Sequence, residues 1–209
     1  MIKPIPKNEE IKLDPLKTIM SKTDKKGIIE YANDYFMEIS RYKEWELMGQ
    51  PHNVIRHPDM PKAIFKTLWD RINQGIPTYA FVKNLAKDGS YYWVIAYFTS
   101  IKDESGDIKT HIARRKAVPN EVKDEISVIY SNLLAIENHG GMEAAEAYFT
   151  GMLEEMGMSY DDFIYHYMRL NAKQLLDYIN ADIKNNGEID LSAEEAIKKT
   201  VKKKRFFWQ

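Results

Sequence analysis

The sequence has no cysteine and almost no net charge. Without cysteine, disulfides, thiolate metal sites, iron–sulfur clusters and covalently attached c-type haem are all excluded. The 30 Lys and Arg residues are balanced by 31 Asp and Glu residues, so the overall charge does not indicate a nucleic-acid partner. The sequence also lacks a signal-peptide pattern and any apolar run near the roughly 18 residues of a membrane helix. It therefore predicts a cytoplasmic protein without a transmembrane segment.

What is present is a chain of 209 residues, 44% of them hydrophobic, which is enough for one ordinary domain and a smaller unit. Composition divides it into three parts. Residues 1–16 are rich in Lys, Glu and Pro and are typical of a tail or cap. Residues 17–117 are rich in strand-forming and aromatic residues, whereas residues 118–209 carry helical periodicity.

The middle part predicts an α+β domain with an antiparallel sheet. Two short strands over 18–23 and 28–32 precede a helix that Asn33 can cap. After Pro61, apolar residues at i, i+3, i+4 and i+7 predict a helix that ends near Gly75: Phe65, Leu68, Trp69 and Ile72. Three strands follow over 78–85, 91–101 and 108–116, joined by hairpin-type turns.

The last part predicts helices only. A stripe of apolar residues spaced by four and three runs from Val122 to residue 136, and 139–141 should interrupt this helix. A second helix is expected over 142–156, and Ser159 begins a capping-box pattern for a third. Ser192 opens a last helix before a basic and aromatic tail over 202–209. These helices are candidates for a signalling or partner-binding region.

Residues 50–61 contain most of the chemistry-bearing side chains. This run holds two imidazoles, a guanidinium, a carboxylate and three prolines, which stiffen the backbone. Since Pro61 stands where a proline favours the start of a helix, His57 and Asp59 should lie near a helix N-terminus, where an anion is stabilised. Arg56 is suited to phosphate oxygens because its planar fork donates two hydrogen bonds at once.

The order of elements and several motifs resemble the PAS family, and in particular its aerotaxis-receptor branch. The most specific motif is Asn-Val-Ile-Arg-His-Pro-Asp-Met-Pro over 53–61. It is accompanied by Ile-Glu-Tyr-Ala-Asn-Asp-Tyr-Phe over 29–36, by Val-Lys-Asn over 82–84 and by Asp-Gly-Ser-Tyr-Tyr-Trp-Val over 88–94. The resemblance covers about the first 116 residues.

This resemblance implies a PAS fold, in which a five-stranded antiparallel sheet with short helices on one side cups a cofactor, followed here by an all-α region. In the aerotaxis-receptor branch the cofactor is FAD, whose redox state reports electron-transport activity to a chemotaxis receptor. Carried over by position, Arg56, His57 and Asp59 match flavin-binding positions, and His52 and Asn84 match polar pocket positions. Asn53 and three aromatic side chains that could form the walls of a flavin slot complete the predicted site: Trp69, Tyr79 and Trp93.

The predicted function is therefore a PAS-type redox or energy sensor that contacts a membrane-bound chemoreceptor, with a homodimer through the PAS domain or the C-terminal helices as a further possibility. Two alternatives remain open: a haem b gas sensor and a cofactor-free interaction module. His52 and His57 are five residues apart and do not share a helix face, so a metal site is not indicated. The sequence also lacks a phosphate-binding glycine loop and a nucleophile elbow, so it does not indicate an enzyme.

Overall fold

The computed structural model describes residues 3–169. Its strands are β1 (Ile19–Asp24), β2 (Ile29–Ala32), β3 (Thr78–Leu85), β4 (Tyr91–Lys102) and β5 (Ile108–Ala117). Its helices are α1 (Asp34–Ser40), α2 (Glu44–Leu47), a short 3₁₀-helix (His52–Ile55), α3 (Lys62–Ile72), α4 (Asn120–Glu155) and α5 (Tyr160–Arg169). The predicted last helix and tail over 192–209 lie outside the described residues.

The strands form one antiparallel sheet in the order β2-β1-β5-β4-β3, so the last strand in sequence is central in the sheet. Successive side chains on a strand point to opposite faces. One face of the sheet, termed the inner face, is covered by α1, the 3₁₀-helix and α3. This arrangement confirms the predicted α+β class and the PAS fold with its helical extension.

Asn33 fixes the junction between the first hairpin and α1. Its side-chain oxygen accepts hydrogen bonds from the backbone nitrogens of Phe36 and Met20, and its amide donates to the carbonyl of Thr18. The cap predicted from sequence therefore also ties the helix to β1. The helix ends at Arg41, which adopts φ 62°, a left-handed conformation that favours glycine.

Helices α4 and α5 cover the outer face of the sheet. The ring of Tyr130 in α4 contacts Trp93, and the ring of Tyr167 in α5 contacts Phe81. The break predicted at 139–141 appears as a kink at Gly141, whose φ of 84° and ψ of 176° are not helical. The capping box predicted at Ser159 is present, because its hydroxyl and the Asp162 carboxylate each accept from the other residue's backbone nitrogen.

The free edge of β3 is covered by side chains from three other elements. The phenol of Tyr130 donates to the carbonyl of Phe81 at 2.8 Å, and the phenol of Tyr160 donates to the carbonyl of Tyr79 at 2.8 Å. The backbone nitrogen of Lys83 donates to the sulfur of Met60. These contacts satisfy polar groups that an edge strand otherwise leaves open.

The N-terminal segment lies along the start of β4. The backbone nitrogen of Ile11 donates to the carbonyl of Tyr91, and the nitrogen of Tyr91 donates to the carbonyl of Glu9. The carboxylate of Glu10 then forms an ion pair with Lys123 of α4 at 2.6 Å. Within residues 3–169, no helix combines the length and apolar character needed to cross a membrane.

Candidate cofactor-binding site

A cavity of about 310 Å³ lies between the inner face of the sheet and the segment formed by the 3₁₀-helix and α3. Much of its wall is aromatic or aliphatic: Phe65, Leu68, Trp69, Ile72, Val82 and Phe98. Its polar lining comes from serine, threonine, asparagine, histidine, lysine and arginine side chains, and none of the described lining residues is acidic. A mostly apolar slot with a few polar groups is typical of a small-molecule site.

Five of the nine predicted site residues line this cavity: His52, Asn53, Arg56, Trp69 and Asn84. The other four lie elsewhere: His57, Asp59, Tyr79 and Trp93. Three residues of the segment 50–61 and the strand residue Asn84 are thus brought together. Their backbones also meet directly, since Arg56 and Asn84 form an isolated antiparallel β-bridge.

Tyr79 and Trp93 belong to the outer face of the sheet. Tyr79 stacks on Tyr97 with ring centroids 4.5 Å apart, and Trp93 contacts the Tyr130 ring of α4 at 6.1 Å. Tyr79 and Asn84 are five positions apart on one strand, so the two-residue period places them on opposite faces. The same alternation, applied to the sequence, separates Tyr79 from any site that contains Asn84.

His57 and Asp59 form a turn beside the cavity. The Nδ1 atom of His57 accepts a hydrogen bond from the backbone nitrogen of Asp59 at 3.1 Å, and the ring packs edge-on against Tyr91. Burial, together with the nearby Lys83 ammonium, lowers the pKa of His57 to about 4, so its ring is neutral at pH 7. Asp59 in turn accepts from the Lys83 ammonium at 2.6 Å.

Arg56 is half-buried at the cavity wall. Its guanidinium lies over the Phe65 ring, 4.0 Å from the centroid, and donates to the carbonyl of Met60 at 3.3 Å. Burial lowers the pKa of Arg56, and the carboxylate of Glu137 opposes this shift. The side chain is therefore held by an aromatic face and one carbonyl, with further N–H groups available for a ligand.

Arg115 is one of several cavity residues that the sequence analysis did not predict. It lies on the central strand β5, only 3% exposed, and donates to the hydroxyl of Ser21 at 2.9 Å and to Nε2 of His52 at 2.8 Å. Burial lowers the pKa of Arg115 to about 10. In the sequence it is one of three consecutive basic residues, and only the alternation of β5 distinguishes it from the exposed Arg114.

His52 is neutral in this arrangement. Because a guanidinium only donates, Nε2 of His52 must accept from Arg115. Burial and the charge of Arg115 lower the pKa of His52 to about 3. Its ring stacks on Phe36 with centroids 5.7 Å apart, which fixes the imidazole plane against the guanidinium.

Two buried polar atoms at the cavity have no hydrogen-bond partner within the described part of the chain. They are Nδ2 of Asn84 and Nε2 of His111, in side chains 3% and 4% exposed. The other ring nitrogen of His111 is 2.8 Å from the hydroxyl of Ser100, and its ring meets Trp69 edge-on. Such groups are costly to bury unless a ligand or water pairs with them.

The sheet order, the helices on the inner face and this cavity define an α+β domain with an internal cavity, and comparison with known proteins indicates the family of this domain. Residues 29–113 match the family model described as the PAS fold. The chain therefore contains a PAS domain, as its sequence motifs predicted.

The chain is similar to the aerotaxis receptor of Escherichia coli (strain K12), with 41% identity over 118 residues, which are 56% of this chain and 23% of the receptor. This confirms the predicted aerotaxis-receptor type of PAS domain. It is also 27% identical over 114 residues to the bacterioopsin transcriptional activator of Halobacterium salinarum, covering 52% of this chain and 17% of that protein. The chain thus spans about a quarter or less of the length of these relatives.

Among solved structures, the light-state structure of the blue-light photoreceptor Aureochrome1 LOV aligns with 55% of this chain and 91% of its own, at 19% identity and a TM-score of 0.48.

Proposed function

We propose that this protein is a PAS redox sensor that binds FAD in the cavity beneath the sheet and passes the redox state of the flavin to a chemotaxis receptor. The observation that carries the proposal is the cavity itself, with aromatic walls, two arginines and no carboxylate among its described lining residues. The similarity to the aerotaxis receptor favours this function over other uses of the PAS fold. A role as a sensor, not an enzyme, is part of the proposal.

The residues at the cavity fit the chemistry of FAD. Its ring system needs an apolar slot with hydrogen-bonding groups at one edge, which Trp69, Phe98 and Asn84 offer. Its diphosphate needs positive charge, which Arg56 and the exposed Lys26 offer at the same cavity. When bound, FAD would supply reversible uptake of electrons, and the side chains around it would bind and orient the ring and exclude water.

Helix α3 links the cavity to the helical extension. One face of α3 supplies four cavity residues, including Trp69. From the rest of the helix, the Nη2 atom of Arg71 donates to both carboxylate oxygens of Asp161 in α5, at 2.7 and 2.9 Å, and Lys66 pairs with Glu146 of α4 at 3.0 Å. A ligand that favours one position of α3 therefore also favours one arrangement of these ion pairs.

The N-terminus of α3 is held by α4 as well. The carboxylate of Glu137 accepts from the backbone nitrogen of Ala63 at 2.7 Å, which satisfies a donor that the first helical turn leaves open. Glu137 also interacts electrostatically with Arg56 at the cavity. Both ends of α3 are thus tied to the extension that we propose as the output surface towards the receptor. A cytoplasmic location belongs to the same proposal, and so does dimer formation through this region.

The test is a visible absorption spectrum of the purified 209-residue chain, followed by titration with FAD. We expect the absorption bands of oxidised flavin, either on purification or after reconstitution. Arg56→Met should weaken FAD binding about 10- to 100-fold, the loss expected for a hydrogen bond to a charged group. The control, Arg114→Met, changes an exposed arginine and should bind as the wild type does. A protein that stays colourless and gains no flavin on titration would contradict the proposal and favour a cofactor-free interaction module.

Haem b is the second candidate, and His111 is the observation that favours it. An axial ligand needs a ring nitrogen with a free lone pair, and Nε2 of His52 is already engaged by Arg115. Nε2 of His111 has no partner among residues 3–169 and lies at the cavity. A Soret band in the same spectrum, lost in His111→Ala, would replace the flavin proposal with this one.

A further inference from the structure

Arg115 carries a buried positive charge that is not neutralised by the side chains around it. None of the described carboxylates forms an ion pair with Arg115, whose hydrogen-bond partners are the Ser21 hydroxyl and the His52 imidazole. A buried charge is costly unless it is paired. Both partners are neutral acceptors, so they hold the guanidinium in place without cancelling its charge.

The position of this guanidinium is fixed by aromatic rings and by the sheet. Its central carbon lies 5.6 Å from the ring centroid of Phe36 and 5.9 Å from that of Phe98. The residue belongs to β5, which is hydrogen-bonded on both sides, by β1 and β4. The charge therefore faces the cavity from a rigid element and cannot move into solvent to meet a counter-ion.

The two unpartnered atoms indicate which kind of group belongs beside this charge. Nδ2 of Asn84 and Nε2 of His111 are buried at the same cavity, on β3 and β5. They fit the hydrogen-bonding edge of a heterocyclic ring better than a hydrated phosphate. A cavity of about 310 Å³ is at the lower end of ligand-site volumes, so its volume suits the ring system of FAD, and the diphosphate would extend towards Arg56 and the exposed Lys26.

We propose, resting on the FAD-sensor function above, that Arg115 is the residue through which the cavity binds the reduced, negatively charged flavin more tightly than the neutral oxidised flavin. Two electrons and one proton added to the neutral ring leave it with one negative charge. The electrons come from a reductant, which is dithionite in the experiment below. Since a charge pair is stronger in a poorly hydrated cavity than in water, the guanidinium gains a favourable interaction only on reduction. Arg115 is thus a specificity-determining residue for the redox state.

The experiment measures the midpoint potential of FAD bound to the 209-residue chain, by stepwise reduction with dithionite in the presence of a reference dye. Arg115→Met should weaken the binding of reduced FAD about 10- to 100-fold more than the binding of oxidised FAD. For a two-electron couple this lowers the midpoint potential by about 30 to 60 mV. Arg115→Lys keeps the charge and should retain most of the potential, and Arg114→Met, on the exposed side of the same strand, should leave it unchanged.

Equal midpoint potentials in the wild type and in Arg115→Met would overturn this assignment while leaving the FAD-sensor function intact. If Arg115→Met does not fold, the wild type alone decides, because its bound flavin should have a higher midpoint potential than free FAD. A lower potential than free FAD overturns the inference. A wild-type protein that binds no FAD contradicts the proposed function itself, and the inference with it.

Discussion

Tyr130→Phe tests whether α4 belongs to the same folding unit as the sheet. The substitution removes one oxygen atom, and it leaves the contact between this ring and Trp93 in place. Tyr130 is 3% exposed, and its phenol donates to the carbonyl of Phe81 on the free edge of β3 at 2.8 Å. Burial raises the pKa of this phenol, so it remains a donor throughout the neutral range.

The expected cost follows from the carbonyl that loses its donor. A buried polar group left unsatisfied costs about 1–3 kcal/mol, and removal of the phenol oxygen recovers part of this because that oxygen no longer has to be desolvated. We therefore expect the free energy of unfolding to fall by about 1.5 kcal/mol. At a urea m-value of about 2 kcal/mol per molar, the unfolding midpoint should fall by about 0.75 M.

The assay is urea unfolding followed by circular dichroism and by tryptophan fluorescence. Tyr148→Phe is the matched control, because Tyr148 lies on the same helix but is 48% exposed, and its midpoint should not change. Both signals should give one coincident transition with an unchanged m-value. An unchanged midpoint for Tyr130→Phe, or separate transitions of helix and sheet, would refute the view that α4 and the sheet unfold together.

Three further predictions follow from the same structure. The folded-state pKa values of His52 and His57 are about 3 and about 4, below the 6.5 of an ordinary histidine, so the unfolded chain binds more protons in acid. The resulting stability should be fully present above about pH 6.5 and be lost as the pH falls towards the folded-state values, by about 2 kcal/mol for each histidine at pH 5. Urea midpoints at pH 5 and 7 measure this loss, and His57→Gln should reduce it. Arg41→Gly should stabilise the protein by about 1 kcal/mol in thermal unfolding, because it relieves the left-handed φ of 62° at the end of α1, and a lower Tm would contradict this. Gly27→Ala should lower the free energy of unfolding by more than Gly106→Ala, because both glycines have positive φ but a Cβ at Gly27 would also lie 3.0 Å from the Trp69 indole of α3. Equal losses of stability in the two variants would show that this contact is not tight.

Local sequence signals predicted the elements of the domain accurately. The Asn33 cap, the apolar face from Phe65 to Ile72 and the capping box at Ser159 each depend on neighbours within about two helical turns. The five strands likewise follow from runs of β-branched and aromatic residues between turns. Their order in the sheet, with β5 in the centre, depends on pairing between distant strands and was not predicted by any local pattern.

The residues of the candidate site were harder to predict because they depend on which face of each strand is inside. Asn84 and Tyr79 are both suitable ligand-binding side chains, but only Asn84 lies on the inner face. The burial of Arg115 could not be predicted from neighbouring residues, because its hydrogen-bond partners Ser21 and His52 are 94 and 63 positions away in the sequence. His57 and Asp59 remain candidates by family position, while the geometry assigns them to a turn beside the cavity.

The covered edge of β3 has a practical consequence for work on the isolated domain. The family match ends at residue 113, and a truncation at the end of the sheet would look natural from that boundary. Such a fragment would lose the phenols of Tyr130 and Tyr160 and expose the outer aromatic face around Tyr79 and Trp93. An uncovered edge strand beside an aromatic surface is a template for association with further chains. A fragment ending after α5, near residue 169, keeps the two phenols on the edge of β3 and the helices that cover the aromatic face. Residue 169 is therefore the appropriate end point for expression of the domain.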